Sequence, residues 1–250
     1  MDRLRGKVAI ITGGGSGIGR STCLRFAEEG AKVMVTDLDA QTAQNTAERI
    51  RQAGGDAQWT RLDIAEECDW QTVVARTMEY YGTIDILVNN ADVTLLVPLE
   101  EMTVSEWDNV WAVNGRGLFL GCKHVTHVMR KQGGGAIVNL GSIHDLVGPA
   151  GSMICQASNG LVRMFTKGAA AELANYHIRV NSIQPSLVAT PMMQELVDNI
   201  GSIQKLVDNL LIKRPAAIQE IVNAIVFLAS DEASYITATE LAVDGGYIHH

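Results

Sequence analysis

Along the chain, short apolar runs alternate with longer stretches in which apolar residues return every three or four positions. The runs "KVAIIT" (7–12), "KVMVTD" (32–37), "AQWTRLD" (57–63), "IDILVNNA" (84–91), "GGAIVNLGS" (134–142), "IRVNSIQP" (178–185) and "ELAVDGG" (240–246) have the length and β-branched content of strands. Helical spacing fills the gaps at 17–30, 40–55 and 66–81, then at about 103–131, with a break near Asn114 and Gly115. It continues at about 152–175, 192–211 and 217–229. Gly30 and the Gly54–Gly55 pair stop the first two helices. Strands apolar on every residue are buried on both faces, and single helices between them give right-handed βαβ units. The pattern predicts one doubly wound α/β domain of the Rossmann type over 1–250, with a parallel sheet of about seven strands and helices on both faces. No linker, repeat, low-complexity tract or charge block divides it.

Composition narrows the function classes. The 250 residues are 47% hydrophobic and 19% charged, which excludes disorder. A net charge of −8 argues against partners built of phosphate, both nucleic acid and an anionic membrane surface. Cys23, Cys68, Cys122 and Cys155 fit no zinc or disulfide spacing, and the first three read as reduced thiols of a cytoplasmic protein. The start "MDRLRGKVAIITGGG" is too briefly apolar for a signal peptide or a membrane span, and no function is placed on the terminal "IHH". His124 and His127 are spaced like half a metal site, but no further ligand falls in register, so they read as helix surface.

The chemistry concentrates in the glycine turn. "TGGGSGIGR" (12–20) ends the first strand and opens the first helix. Gly13, Gly17 and Gly19 leave room for a diphosphate to approach the backbone, and the helix N-terminus offers free N–H groups, with Ser16 and Ile18 between them. Asp37 follows Gly19 by eighteen residues. A carboxylate there accepts hydrogen bonds from the adenosine ribose and repels a 2′-phosphate, so the expected cofactor is NAD; Leu38 brings no positive charge to reverse this. Asp63 suits the adenine edge, although a turn-capping role is open for it and, less so, for Asp37.

With these residues in hand, the chain resembles the short-chain dehydrogenases/reductases over essentially its whole length. The resemblance rests on TGxxxGxG at 12–19, Asp37, Asp63, "NNA" at 89–91, Asn114, Ser142, "RVNSIQP" at 179–185, "TPM" at 190–192 and "ELAVDGGY" at 240–247. It implies further cofactor contacts at Ile64, Asn90, Ala91, Pro185, Val188 and Thr190. It also implies a substrate-holding serine, a proton-exchanging tyrosine, a lysine that grips the nicotinamide ribose, and an asparagine that positions a relay water. Ser142 and Asn114 match two of these. The tyrosine is expected thirteen residues after the serine and the lysine four later, and those positions hold Cys155 and Asn159. A helix places residues i and i+4 on one face, so the pair is expected to point together at the cofactor site.

Other departures gather at the same cleft. Asp92 stands where the family has glycine after "NNA", either crowding the cofactor path or turned to solvent. Ser186 replaces the glycine after "QP", "KRPA" (213–216) stands for a "GRPA"-like turn, and Ala238 replaces the glycine before the last strand. His144, Asp92, Ser186 and Met192 are expected at the substrate pocket, with His144 either shaping it or serving as a replacement acid. A Cys155–His144 pair oriented by Asp145 is conceivable as a nucleophile. The apolar loop 187–200 points to a hydrophobic substrate.

The resulting expectation is an NAD-dependent enzyme for a small secondary alcohol or ketone, with a degenerate relay. The alternatives are a scaffold that has lost catalysis, or a repurposed site with non-redox chemistry at Cys155. The resemblance also implies a homotetramer, formed through the helices at about 103–131 and 152–175 and through the last strand with the helix before it.

Overall fold

A computed structural model describes residues 2–143, 152–190 and 204–249. The apolar runs form strands β1 (Val8–Thr12), β2 (Lys32–Asp37), β3 (Asp56–Arg61), β4 (Ile86–Asn89), β5 (Gly135–Leu140), β6 (Ile178–Pro185) and β7 (Glu240–Val243). They make one parallel sheet in the order β3-β2-β1-β4-β5-β6-β7. The chain works outward from β1 in one direction and then from β4 in the other. The strand ends at Thr12 and Asn89 therefore flank the switch point where open α/β sheets bind ligands.

Alternation along each strand feeds two cores. Ala9, Ile11, Val33, Val35, Ile86 and Val88 pack on one face, and Ile10, Met34, Leu87 and Ile137 on the other. This explains why the runs are apolar on every residue. Helices α1 (Gly17–Glu28), α2 (Ala40–Gln52) and α3 (Glu67–Tyr81) follow the first three strands. Then come α4 (Val104–Val110), α5 (Leu118–Gln132), α6 (Met153–Leu173), α7 (Gln204–Asp208) and α8 (Ile218–Ala229). Of the helix expected over 192–211, only its end lies within the described residues.

Two differences from the sequence expectation bear on the site. The break near Asn114 is not an interruption: a π-helical turn, Trp111–Gly117, joins α4 to α5. Such wide turns displace side chains from their regular positions and are frequent at functional sites. Strands β3 and β4 are shorter than their apolar runs, which leaves Asp63 and Asn90–Asp92 in loops at the carboxyl edge of the sheet. Ala238, before β7, holds φ 62, a left-handed conformation that suits glycine. No helix among the described residues is long and apolar enough to cross a membrane.

Candidate active site

The turn after β1 is shaped by what it lacks. Gly13 and Gly17 hold φ 66 and 50. A Cβ on Gly19 would strike the Gly13 carbonyl, and one on Gly13 would lie 2.7 Å from Asn90 Nδ2. Side chains are thus excluded from the inner wall, and the first turn of α1 keeps backbone N–H groups that its N-cap residue, Ser16, does not satisfy. Ile18 anchors this turn against the core. Arg20 Nε donates to the Gly15 carbonyl at 2.7 Å from the outside. These features fit a diphosphate: a concave backbone surface with open donors at the positive end of a helix.

Asp37 closes the adjoining wall. Its Oδ2 accepts from Gly15 N at 2.8 Å and its Oδ1 from Asp39 N at 3.0 Å, so the group is fixed as an acceptor beside the turn. Leu38 next to it is 60% exposed and adds no charge. Asp63 performs the turn-capping role: its Oδ1 accepts from Ala65 N at 3.0 Å, while its own N–H donates to Asp69 at 2.9 Å. Ile64 is buried, and its carbonyl is fixed by Trp70 Nε1 at 3.0 Å.

Across the switch point, Thr12 stitches the "NNA" segment to β1. Its hydroxyl accepts from Asn90 N at 2.9 Å and Ala91 N at 3.0 Å, and its carbonyl accepts from Asn90 Nδ2 at 2.9 Å. Behind it Asn89, Asn139 and Thr166 form a buried chain of side-chain hydrogen bonds, each 2.9 Å. The segment after β6 returns to the turn. Pro185 ends the strand, Ser186 Oγ donates to the Asp244 carbonyl at 3.0 Å, and Val188 bridges to Ala216. Thr190 then reaches within 4.0 Å of where a Gly17 Cβ would stand.

A crevice at the carboxyl edge is lined by Thr12, Ile64, Asn89, Ala91, Asp92, Asn114, Leu118 and Asn159, among others. Cys155 is not in it. Its Sγ accepts from Leu95 N and donates to Leu95 O, each at 3.2 Å, within an apolar cluster of Val110 and Ile154 beside Val93, Leu95 and Trp111. Of Cys155 and Asn159, expected to point together at the cofactor site, Asn159 lines the crevice and the Cys155 thiol closes onto Leu95. A thiol is short enough to close onto the passing backbone. Asn159 holds its amide on its own helix, Nδ2 donating to the Cys155 carbonyl at 2.8 Å.

Asn114 is also committed. Its Oδ1 accepts from Val93 N at 2.9 Å, and its Nδ2 donates to Val93 O at 2.9 Å and to Ser158 Oγ at 3.2 Å. The π turn brings this amide against the loop after β4. Ser142 stands two residues past β5, partly exposed. His144, Asp145 and Met192 lie outside the described residues.

Asp92 follows "NNA", is exposed as a residue and lines the crevice. Burial pushes its pKa up to about 6. Burial also pushes the Cys155 thiol up, the Leu95 contact opposes this, and the Asp92 charge adds to it. His124 lies 3.1 Å from Glu67, which also accepts from Lys123 at 2.6 Å; no metal-ligand cluster occurs among the described residues. Sequence reasoning missed Thr12, Leu95 and Ser158 as organisers of the site. Thr12, at the strand end inside the glycine motif, carried a signal; Leu95, sixty residues from Cys155, carried none.

Comparison with known proteins agrees with this architecture. A family profile described as enoyl-(acyl carrier protein) reductase matches residues 13–248. A cyclopentanol dehydrogenase of Comamonas sp. is 40% identical over 247 residues, covering 99% of each chain. A 2,5-dichloro-2,5-cyclohexadiene-1,4-diol dehydrogenase of Sphingobium indicum is 37% identical, covering 98% of each. Among solved structures, levodione reductase superposes with a TM-score of 0.93 at 33% identity over 98% of both chains. A gluconate 5-dehydrogenase from Burkholderia cenocepacia, in complex with NADP and tartrate, gives 0.94 at 32% identity, covering 100% of this chain and 98% of that one. With its sheet order, its glycine turn and relatives matched end to end, the chain belongs to the short-chain dehydrogenase/reductase family.

Proposed function

We propose that the protein is an NAD(H)-dependent oxidoreductase interconverting a small, apolar secondary alcohol and its ketone, with a rebuilt proton relay. The observation that carries this reading is the side-chain-free turn at Gly13–Gly19 joined to a backbone-fixed carboxylate at Asp37. The turn would hold the diphosphate, Asp37 the adenosine ribose, and Asp63 with Ile64 the adenine edge. Asn90, Ala91, Pro185, Val188 and Thr190 would flank the nicotinamide half. When bound, the nicotinamide supplies a hydride acceptor or donor.

The names of the cyclopentanol and cyclohexadienediol relatives support a compact ring alcohol as substrate. Ser142 would hold the substrate oxygen. Cys155 and Asn159 would occupy the positions where the family keeps tyrosine and lysine. A positioned acid or base contributes about 10² to 10⁴ in rate, so its displacement slows the reaction without removing the gain from holding the reactants together. A cytoplasmic homotetramer is part of the proposal.

A second reading, a scaffold that binds coenzyme without turnover, is favoured by one observation: the Cys155 thiol is closed onto Leu95. That same enclosure argues against a nucleophilic role for the thiol. The experiment is to titrate NAD⁺ and NADH by calorimetry and assay secondary alcohols with the native chain and with Cys155→Tyr plus Asn159→Lys. Binding with native turnover supports the first reading. Turnover only in the double variant supports the second, and absence of binding overturns both.

A further inference from the structure

We infer that Asp92 is the acid–base group of this crevice, exchanging the substrate proton in place of Cys155, whose thiol is closed onto Leu95. The inference rests on the proposed function. Among the described residues lining the crevice, Asp92 alone carries a titratable side chain; the others are apolar, hydroxyl or amide. The amide of Asn114 is held by Val93 and Ser158, and that of Asn159 by its own helix. Cys155 exchanges both its donor and its acceptor capacity with Leu95, outside the lining.

Asp92, in contrast, makes no hydrogen bond to the protein among the described residues and faces the crevice beside Asn114 and Asn159. No lysine, arginine or histidine lines this crevice among the described residues, and the titratable neighbour that feels the Asp92 charge is Cys155. With no cation to hold it ionised, the carboxyl retains its proton up to about pH 6. It can therefore both accept and return a proton near neutrality, as the task requires.

The step balances. In oxidation, the substrate O–H bond breaks and its proton passes to the Asp92 carboxylate, directly or through one water. A bound nicotinamide would supply the acceptor for the carbinol hydrogen and its electron pair, so that the C–O bond would become the carbonyl. The Asp92 carboxyl then releases its proton to solvent. In reduction each transfer runs backward. This role explains why a carboxyl is tolerated where the family has glycine: it supplies the titrating group that position 155 has lost.

The test uses the full chain with Asp92→Asn, which keeps size and removes the charge, and Asp92→Gly, which removes the side chain. Carboxyl ¹³C NMR of the coenzyme-free native protein should show a resonance titrating near pH 6 that both variants lack. Both variants should bind NADH within threefold of native, lose at least tenfold in kcat, and lose the pH inflection that kcat of the native chain shows near the same value. An ordinary carboxylate titration for Asp92, or variants that retain native kcat and pH profile, overturns the inference alone. Failure of the native chain to bind NAD⁺ or NADH overturns the proposed function, and this role with it.

Discussion

The thiol of Cys155 and the backbone of Leu95 are locked in a reciprocal pair, N–H to sulfur and S–H to carbonyl, each at 3.2 Å. This contact fastens the loop after β4 to α6 and takes the sulfur out of the crevice. It also buries a group whose burial raises its pKa, so the thiolate is scarce at neutral pH.

Thiol reactivity follows from these placements. Cys68 is exposed, while Cys23, Cys122 and Cys155 are buried. Burial pushes Cys122 up to about 12 and raises Cys23 as well. Limited iodoacetamide treatment at pH 8, followed by peptide mapping, should label Cys68 first and leave Cys155 largely intact. Rapid labelling of Cys155 would contradict the Leu95 closure.

Asn114→Ala should destabilise the fold by about 2–3 kcal/mol. It leaves the half-buried Val93 N–H and carbonyl without their partner; an unsatisfied buried group costs about 1–3 kcal/mol, and water recovers part of that here. Urea unfolding with an unchanged m-value would measure the loss; a cost under 0.5 kcal/mol would show that the clamp contributes little.

Gly19→Ala should weaken coenzyme binding. The added Cβ collides with the Gly13 carbonyl and stands 2.6 Å from Asn90 Nδ2, so the turn must shift. We expect NADH affinity to fall at least tenfold, about 1.4 kcal/mol, in calorimetry.

Ala238→Gly should stabilise the protein by about 1 kcal/mol, because φ 62 strains a residue bearing Cβ and does not strain glycine. Its N–H bond to the Val180 carbonyl at 2.8 Å fixes the conformation, so the strain cannot relax locally. A fall in melting temperature would refute this.

Asp92 gives stability a pH dependence of defined sign. Its folded pKa, about 6, lies above its ordinary value of 3.8. Between those values the folded chain binds more protons than the unfolded one, so this group's contribution declines as pH rises from about 4 to about 6 and then stays level. Asp92→Asn lacks the decline. Urea midpoints from pH 4 to 8 should show the variant gaining on the native chain across that window, and parallel curves would sink the assignment of a raised carboxyl.

The glycine turn and Asp37 were legible because local geometry dictates them: a strand, a Cβ-free turn and a helix start occupy consecutive residues. Asp63 was less so. Its carboxylate caps its own turn at Ala65, whereas the sequence favoured the adenine role and kept capping as the lesser alternative. The i,i+4 rule placed Cys155 and Asn159 on one face, as they are, but could not show that Leu95 would meet the sulfur first.

From the sequence alone follow the alternation of seven strands with helices, the single parallel sheet and the crevice-edge position of the glycine turn. Period and turn chemistry are local properties of a chain. The tertiary structure decided the π turn that swings Asn114 onto Val93, the enclosure of Cys155 and the solitary carboxyl of Asp92 in the crevice. Each depends on which distant segment arrives at a side chain, and a hydrogen bond sixty residues long in sequence is set by packing, not by spacing.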